Sequence, residues 1–309
     1  MDHKTGDRTP MSSLGLGANG LNGDVEAFQN CRAILKDTPA LREIAGCPLA
    51  ARSLPGFTNS VYELRSDAGH FVLRVPWLET PMAVDREAEW HDVTVAADAG
   101  IALRPVWGDP GTGLMLMPLG QPVPDFMPER VGEKVATLHR SGIVFQRERP
   151  IVPYLLDAEK DLDGRDDLLA FSCGLARQAA ILLQAMPQQP YVPNHFDLTV
   201  ANMVEDGAGL KLIDFEYAAM APAYWDLAYA ILENELSGPE EKAFLSAYEK
   251  AGGITPDPDH LSVYKVACDV VSMLWALGQI ARGREAADFM PLARERKARA
   301  VANLEDLKN

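Results

Sequence analysis

Asp197, Asn202 and Asp214 have the types and spacing to handle a phosphoryl group. The first two lie in Asn194-His-Phe-Asp-Leu-Thr-Val-Ala-Asn202, and the third ends the apolar run Gly209-Leu-Lys-Leu-Ile. A carboxylate within hydrogen-bond reach of a hydroxyl can orient it and accept its proton, which suits Asp197. Mg²⁺ takes hard oxygen ligands, so Asn202 and Asp214 are candidates to hold ions that bridge nucleotide phosphates. The spacing H-x-D-x-x-x-x-N is a modest signal alone. Followed by Ile213-Asp-Phe at the end of a second short run, it becomes a strong one.

The elements that must position these groups are legible nearby. Met203-Val-Glu and Leu210-Lys-Leu-Ile flank Asp206-Gly207, a hairpin signal that brings Asn202 and Asp214 to one end of two paired strands. His195 reads as a hydrogen-bonded structural residue. Upstream, strand, tight Pro55-Gly56 turn and strand form a loop suited to fold over phosphates, with Gly56, Thr58 and Asn59 as its phosphate-side residues. An ordinary hairpin is the alternative. His70-Phe-Val-Leu-Arg-Val75 is a third strand with Val72 and Arg74 on one face and Phe71, Leu73 and Val75 on the other. Arg74 is the candidate phosphate-binding cation, or else an exposed strand arginine. Pro81 opens a helix to about Asp98, from which Glu89, or in reserve Glu87, could pair with Arg74.

Two further strands follow, in 104–108 and 113–118, and then a Gly/Pro-rich connector at 119–124. Beyond it the periodicity is helical. Helices are expected over 129–141, 168–186, 223–236, 240–251, 258–282 and 291–307, with the acidic run 157–167 as solvated surface. Near the start, Asp24 caps a helix to about Leu35, and a second short helix covers 40–45.

Composition narrows the function classes. A formal net charge of −15 argues against a nucleic-acid partner. With 47% hydrophobic and 24% charged residues, the chain reads as an ordinary soluble globular protein. Four scattered cysteines without a C-x-x-C pair suit a reducing cytoplasm. Residues 261–281 are the most apolar stretch but carry Lys265 and Asp269, so they read as a core helix, with no membrane association.

Assembled, the pattern resembles the choline/ethanolamine kinase branch of the aminoglycoside phosphotransferase-like superfamily over about residues 50–285. The resemblance rests on Gly56-Phe-Thr-Asn59, Val72-Leu-Arg-Val75, Arg86-x-x-Glu89, His195-x-Asp197 with Asn202, Ile213-Asp-Phe-Glu-Tyr-Ala218, and Trp225-Asp-Leu-Ala228 through Glu233. It implies a protein-kinase-like fold, Asp197 as base, Asn202 and Asp214 as Mg²⁺ ligands, and Arg74 as a phosphate contact. It also implies Glu233 and Trp275 as parts of a pocket for a cationic alcohol, where ring faces and a carboxylate attract an ammonium. For Trp275, plain core packing is an equal alternative. Ser272 stands where eukaryotic choline kinases carry the first of two tryptophans, Pro55 where a glycine is common, and Phe196 where Gly or Asn is common.

The expected architecture is α+β and two-lobed. Residues 1–23 form a loose tail, 24–119 a small antiparallel-sheet lobe that binds nucleotide, and 120–309 a mainly helical lobe with the catalytic loop and substrate pocket. The expected activity is transfer of phosphate from ATP, with Mg²⁺, to choline or a related amino alcohol. An aminoglycoside, thiamine or another hydroxyl compound, or a catalytically silent relative, stays open.

Overall fold

Alternating burial along the third strand sets the layout of the first half of the chain. The computed structural model describes residues 21–56, 59–77 and 84–307. In it β1 (Pro48–Leu54), β2 (Asn59–Ser66), β3 (His70–Pro76), β4 (Trp107–Asp109) and β5 (Leu114–Pro118) form an antiparallel sheet ordered β1-β2-β3-β5-β4. One face of β3 carries Phe71, Leu73 and Val75 against a small core with Cys31, Leu35 and Leu41 from α1 (Leu21–Asp37) and α2 (Pro39–Ala45). Val72 packs instead against the large core. The period of two along a strand thus splits β3 between two neighbours, and it turns Arg74 toward the second.

α3 (Arg86–Asp98) lies between the sheet and the rest, and Asp85 caps it by accepting from the backbone N–H of Ala88 at 3.0 Å. The expected start at Pro81 lies outside the described residues. α1 begins at Leu21 rather than at a cap on Asp24. Asp24 sits in its first turn, where a carboxylate complements the helix dipole.

The connector is not plain coil. Its β6 (Gln121–Pro122) pairs with β8 (Met203–Glu205), which pairs with β9 (Leu210–Leu212). A short two-stranded ladder of β7 (Tyr191–Asn194) and β10 (Ala219–Pro222) flanks the loop between them. Helices α4 (Pro128–Arg140), α5 (Ile151–Lys160), α6 (Asp166–Ser172), α7 (Leu175–Ala185), α8 (Tyr224–Glu233), α9 (Gly238–Lys250), α10 (Pro258–Ala281) and α11 (Ala286–Asp306) complete the fold around one large core.

Three helix expectations need correction. The stretch 168–186 is two helices, because Cys173 and Gly174 both adopt left-handed backbone angles (φ 54° and 66°), which end one helix and start another. The acidic run 157–167 is not simply solvated: it covers the end of α5 and the turn after it, and Ala158 and Leu162 are buried. α11 starts before Pro291 and carries that proline inside. α10 is long and apolar enough to cross a membrane by length and composition, but 78% of its most apolar window is buried within the protein.

Candidate active site

The hairpin does what its spacing suggested. Met203 pairs with Leu212, and the backbone N–H of Ile213 donates to the Asn202 carbonyl at 3.0 Å. Asn202 and Asp214 therefore stand at the same end of β8 and β9. An Asx turn closes the other end, with the Ala208 N–H donating to the Asp206 carboxylate at 2.9 Å.

The loop carrying Asp197 is held by α8 along its length. Asp226 accepts from the backbone N–H groups of His195 and Phe196 at 2.8 and 2.9 Å. Tyr229, nearly one turn on, donates its hydroxyl to Asp197 Oδ1 at 2.9 Å. Asn234, at the end of the helix, accepts from the Val200 N–H and donates to the Leu198 carbonyl, both at 2.8 Å. The other Asp197 oxygen receives the Asn202 amide nitrogen at 2.7 Å. The Asn202 amide oxygen is thereby directed away from Asp197. Asp226 thus ties the stretch just before Asp197 to α8.

His195 is buried and joins the two halves of the site. Its Nε2 lies 2.9 Å from the Ile213 carbonyl, and its Nδ1 accepts from the Asp197 N–H at 3.3 Å. Burial lowers its pKa, so the ring is neutral with the proton on Nε2. Phe196 and Asp214 both have left-handed backbones (φ 71° and 65°), a conformation that an aspartate adopts readily and a bulky phenylalanine does not. Phe196 is held in that state by stacking on Trp225, with ring centroids 4.8 Å apart. Strain of this kind persists only where surrounding contacts over-determine it.

Arg74 faces the hairpin end. Its guanidinium forms a two-pronged pair with Glu89, with Nη2 to Oε2 at 2.9 Å, and reaches Asp214 Oδ1 at 3.3 Å. Glu87 is exposed, so Glu89 is the partner. Arg86 bonds Glu89 at 2.7 Å and Glu216 at 3.2 Å, and Asn59 donates to Glu216 at 3.3 Å. Arg86 and Glu216 thus link the two halves of the molecule, a role the sequence did not expose. Gly56 is required where it stands, since a Cβ there would come within 2.5 Å of the Asn59 carbonyl. Thr58 lies outside the described residues.

Burial alone would raise the Glu89 carboxyl, but Arg74 and Arg86 more than offset it and hold the pKa below the usual carboxylate value. Asp214 goes the other way. Burial, then the Glu216 charge, push it well up despite Arg74. Asp197, Asp214 and Glu216 concentrate negative charge beside two hard oxygen donors, and a divalent cation would relieve that charge. The Asn202 oxygen and the Asp214 carboxylate therefore fit Mg²⁺ in kind.

Glu233 and Trp275 are placed differently from expectation. The Glu233 carboxylate is not open to a pocket: Arg296 donates to it at 2.6 Å, and Arg299 lies 3.8 Å away. Trp275 is half-buried, edge-on to Phe289 of α11 at 5.7 Å. Ser272, one turn earlier on α10, donates to Glu233 at 3.4 Å. Tyr229 and the α11 arginines were missed. Only Tyr229 left a signal, lying on the Asp226–Glu233 face by helical period.

Known proteins share the fold and part of the sequence. Residues 51–264, more than half of the chain, match the phosphotransferase enzyme family. A curated relative, "Protein LicA homolog" of Metamycoplasma hominis, is 27% identical over 145 residues, 47% of this chain and 56% of that protein. The match thus spans about half of that relative's length. Among solved structures, a choline/ethanolamine kinase family protein from Mesorhizobium loti is 28% identical with TM-score 0.70, covering 90% of this chain and 94% of that one. The choline kinase LicA from Streptococcus pneumoniae shares the fold at 21% identity, with TM-score 0.74 and coverage of 90% and 99%.

Proposed function

We propose that this chain, which belongs to the phosphotransferase enzyme family, transfers the γ-phosphoryl group of ATP to the hydroxyl of a small-molecule alcohol, with Mg²⁺. The observation that carries the reading is the double clamp on Asp197. Tyr229 holds one carboxylate oxygen and Asn202 the other, while Asp214 waits at the adjacent strand end with Arg74 on it. A carboxylate so fixed can hold an alcohol O–H in line for attack and take its proton as the bond to phosphorus forms. Asn202 and Asp214 would hold Mg²⁺, which when bound offsets phosphate charge. Arg74, oriented by Glu89, would meet phosphate oxygens, and Asn59 and Gly56 would lie under the phosphate loop. The free thiols at Cys31, Cys47, Cys173 and Cys268 support a reducing compartment such as the cytoplasm.

The similarity to a choline/ethanolamine kinase family protein and to a choline kinase favours choline or a related amino alcohol as acceptor. The pairing of Glu233 with Arg296 favours a second reading, an acceptor without a cationic end.

Coupled ADP release over a panel of choline, ethanolamine, thiamine, an aminoglycoside and neutral alcohols tests the reaction. The expected result is Mg²⁺-dependent turnover with at least one alcohol. Asp197→Asn should lower kcat by about 10²–10⁴, the range for loss of a general base, while nucleotide binding persists. A loss confined to KM for ATP would assign Asp197 to binding alone.

A further inference from the structure

α3 buries two carboxylates on one face, and among the described residues only one of them is bonded to arginine. The buried side chains of the helix are Ala88, Glu89, Asp92, Val93 and Ala96. Glu89 meets Arg74 and Arg86. Asp92 lies nearly one turn further along the same face and is fully buried. Its Oδ1 accepts from the backbone N–H of Gln146 at 2.9 Å and lies 2.9 Å from Nδ1 of His91, while its Oδ2 has no hydrogen-bond partner. Burying a carboxylate with so few bonds is costly, so packing alone does not account for an aspartate here.

The Gln146 N–H belongs to the segment between α4 and α5, which is fastened to the chain just beyond Asp214. The Arg147 carbonyl accepts from the Met220 N–H at 2.7 Å, and the Arg149 N–H donates to the Met220 carbonyl at 2.9 Å. The Arg147 guanidinium donates to the Glu216 carbonyl at 2.7 Å. The Glu216 carboxylate in turn takes Arg86 at 3.2 Å, and Arg86 bonds Glu89 at 2.7 Å. These contacts close a ring from Asp92 through residues 146–147, Glu216, Arg86 and Glu89, and back along the helix. Glu89 is thus fixed from both sides, by Arg86 before it and by Asp92 after it. A helix tied at one point can turn about that point. Tied at two, it turns only by breaking a bond.

Resting on the phosphotransferase reading above, we infer that Asp92 is a positioning residue for the nucleotide: by accepting the Gln146 N–H it locks the rotation of α3 and holds Glu89 where it aims Arg74 at the phosphates. Asp92 acts through Glu89 and is not itself a catalytic residue. Burial raises its pKa despite His91, the Gln146 N–H and the nearby charge of Arg147. The accepting oxygen, rather than a full charge, is therefore what a replacement must keep.

The test separates this role from plain packing. Asp92→Asn keeps an oxygen for the Gln146 N–H and should leave kcat/KM for ATP within about threefold of wild type, the scale of one altered neutral hydrogen bond. Asp92→Ala removes the oxygen and should lower kcat/KM for ATP about tenfold, less than the 10²-fold that a displacement of about 1 Å can cost. KM for the alcohol should not change. In an Arg74→Met background Asp92→Ala should cost nothing further, since no guanidinium remains to be aimed. A packing role would lower the melting temperature in both backgrounds and leave kcat/KM for ATP in each as it was. Where Asp92→Ala does not fold, Gln146→Pro removes the N–H from the other end of the bond, with the same two expectations.

The inference is overturned if folded Asp92→Ala keeps the wild-type kcat/KM for ATP, if Asp92→Asn loses as much as Asp92→Ala, or if the losses of Asp92→Ala and Arg74→Met add. It is also overturned if neither Asp92→Ala nor Gln146→Pro folds, for the bond is then a folding contact. Calorimetric binding of ATP with Mg²⁺ reads the same weakening without turnover. A chain that binds ATP with the expected pattern but transfers phosphate to no alcohol would sink the phosphotransferase reading and leave Asp92 its role. A wild type that binds no ATP would sink both.

Discussion

Two buried arginine–glutamate pairs, one on the sheet side and one on the helical side, differ in their further partners. On the sheet side, Arg74 pairs with Glu89 but also reaches Asp214, so its charge is shared with the candidate site. On the helical side, Arg296 meets Glu233 and Glu295, and Arg299 meets Asp269. The first arginine reaches a carboxylate of the candidate site, and the second is shared between two glutamates. The same two residue types thus stand in two settings, a sheet wall and a helical wall, and only the third partner tells them apart.

The sharpest way to break this comparison is to remove each arginine in turn. Arg74→Met should lower kcat/KM for ATP by about 10²-fold or more, the scale of losing one fixed donor to a developing charge. Arg296→Met should leave kcat/KM for ATP within about threefold, while its melting temperature falls, because a broken buried pair costs about 3–5 kcal/mol. Equal losses of ATP efficiency in the two variants would mean that the walls are not specialised.

A smaller effect sharpens the link between the walls. Tyr229→Phe keeps the ring and removes the hydroxyl from Asp197. Losing a hydrogen bond to a charged group, worth about 1.5–3 kcal/mol in general, should lower kcat about tenfold while KM for ATP stays put. An unchanged kcat would show that Asn202 alone orients the carboxylate.

The smallest effect is read in acid. The Glu89 pKa is held below its ordinary value of 4.5, so its pair with Arg74 stabilises the fold above that pH. The contribution fades as pH falls from about 4.5 through the lowered folded value. Wild type should lose stability over that window in urea melts, and Glu89→Gln, less stable to begin with, should lose less. Parallel curves would remove Glu89 from the account.

Much of the sheet wall was legible in sequence, for local reasons. The period of two in His70–Val75 put Arg74 with Val72 and away from Leu73, and the structure splits them between the two cores in that way. A Gly-containing turn between two short apolar runs was enough to set Asn202 beside Asp214, because hairpin register follows from turn and pattern. The choice of Glu89 over Glu87 needed the helix's orientation: the two lie on different faces, one buried and one exposed. The break at Cys173 and Gly174 was hidden, since apolar spacing runs through it while two left-handed residues interrupt the helix.

What the sequence determined by itself was the grouping of the candidate site residues and the strands that carry them, since Asp197, Asn202 and Asp214 lie within one short stretch and their placement follows from local spacing. What only tertiary structure decided was the partner of Glu233. Arg296 lies 63 residues beyond Glu233, on a helix whose own periodicity says nothing of what it will face. Electrostatic partners at that separation are chosen by how α10 and α11 pack together, and packing is a property of the whole fold, not of any segment.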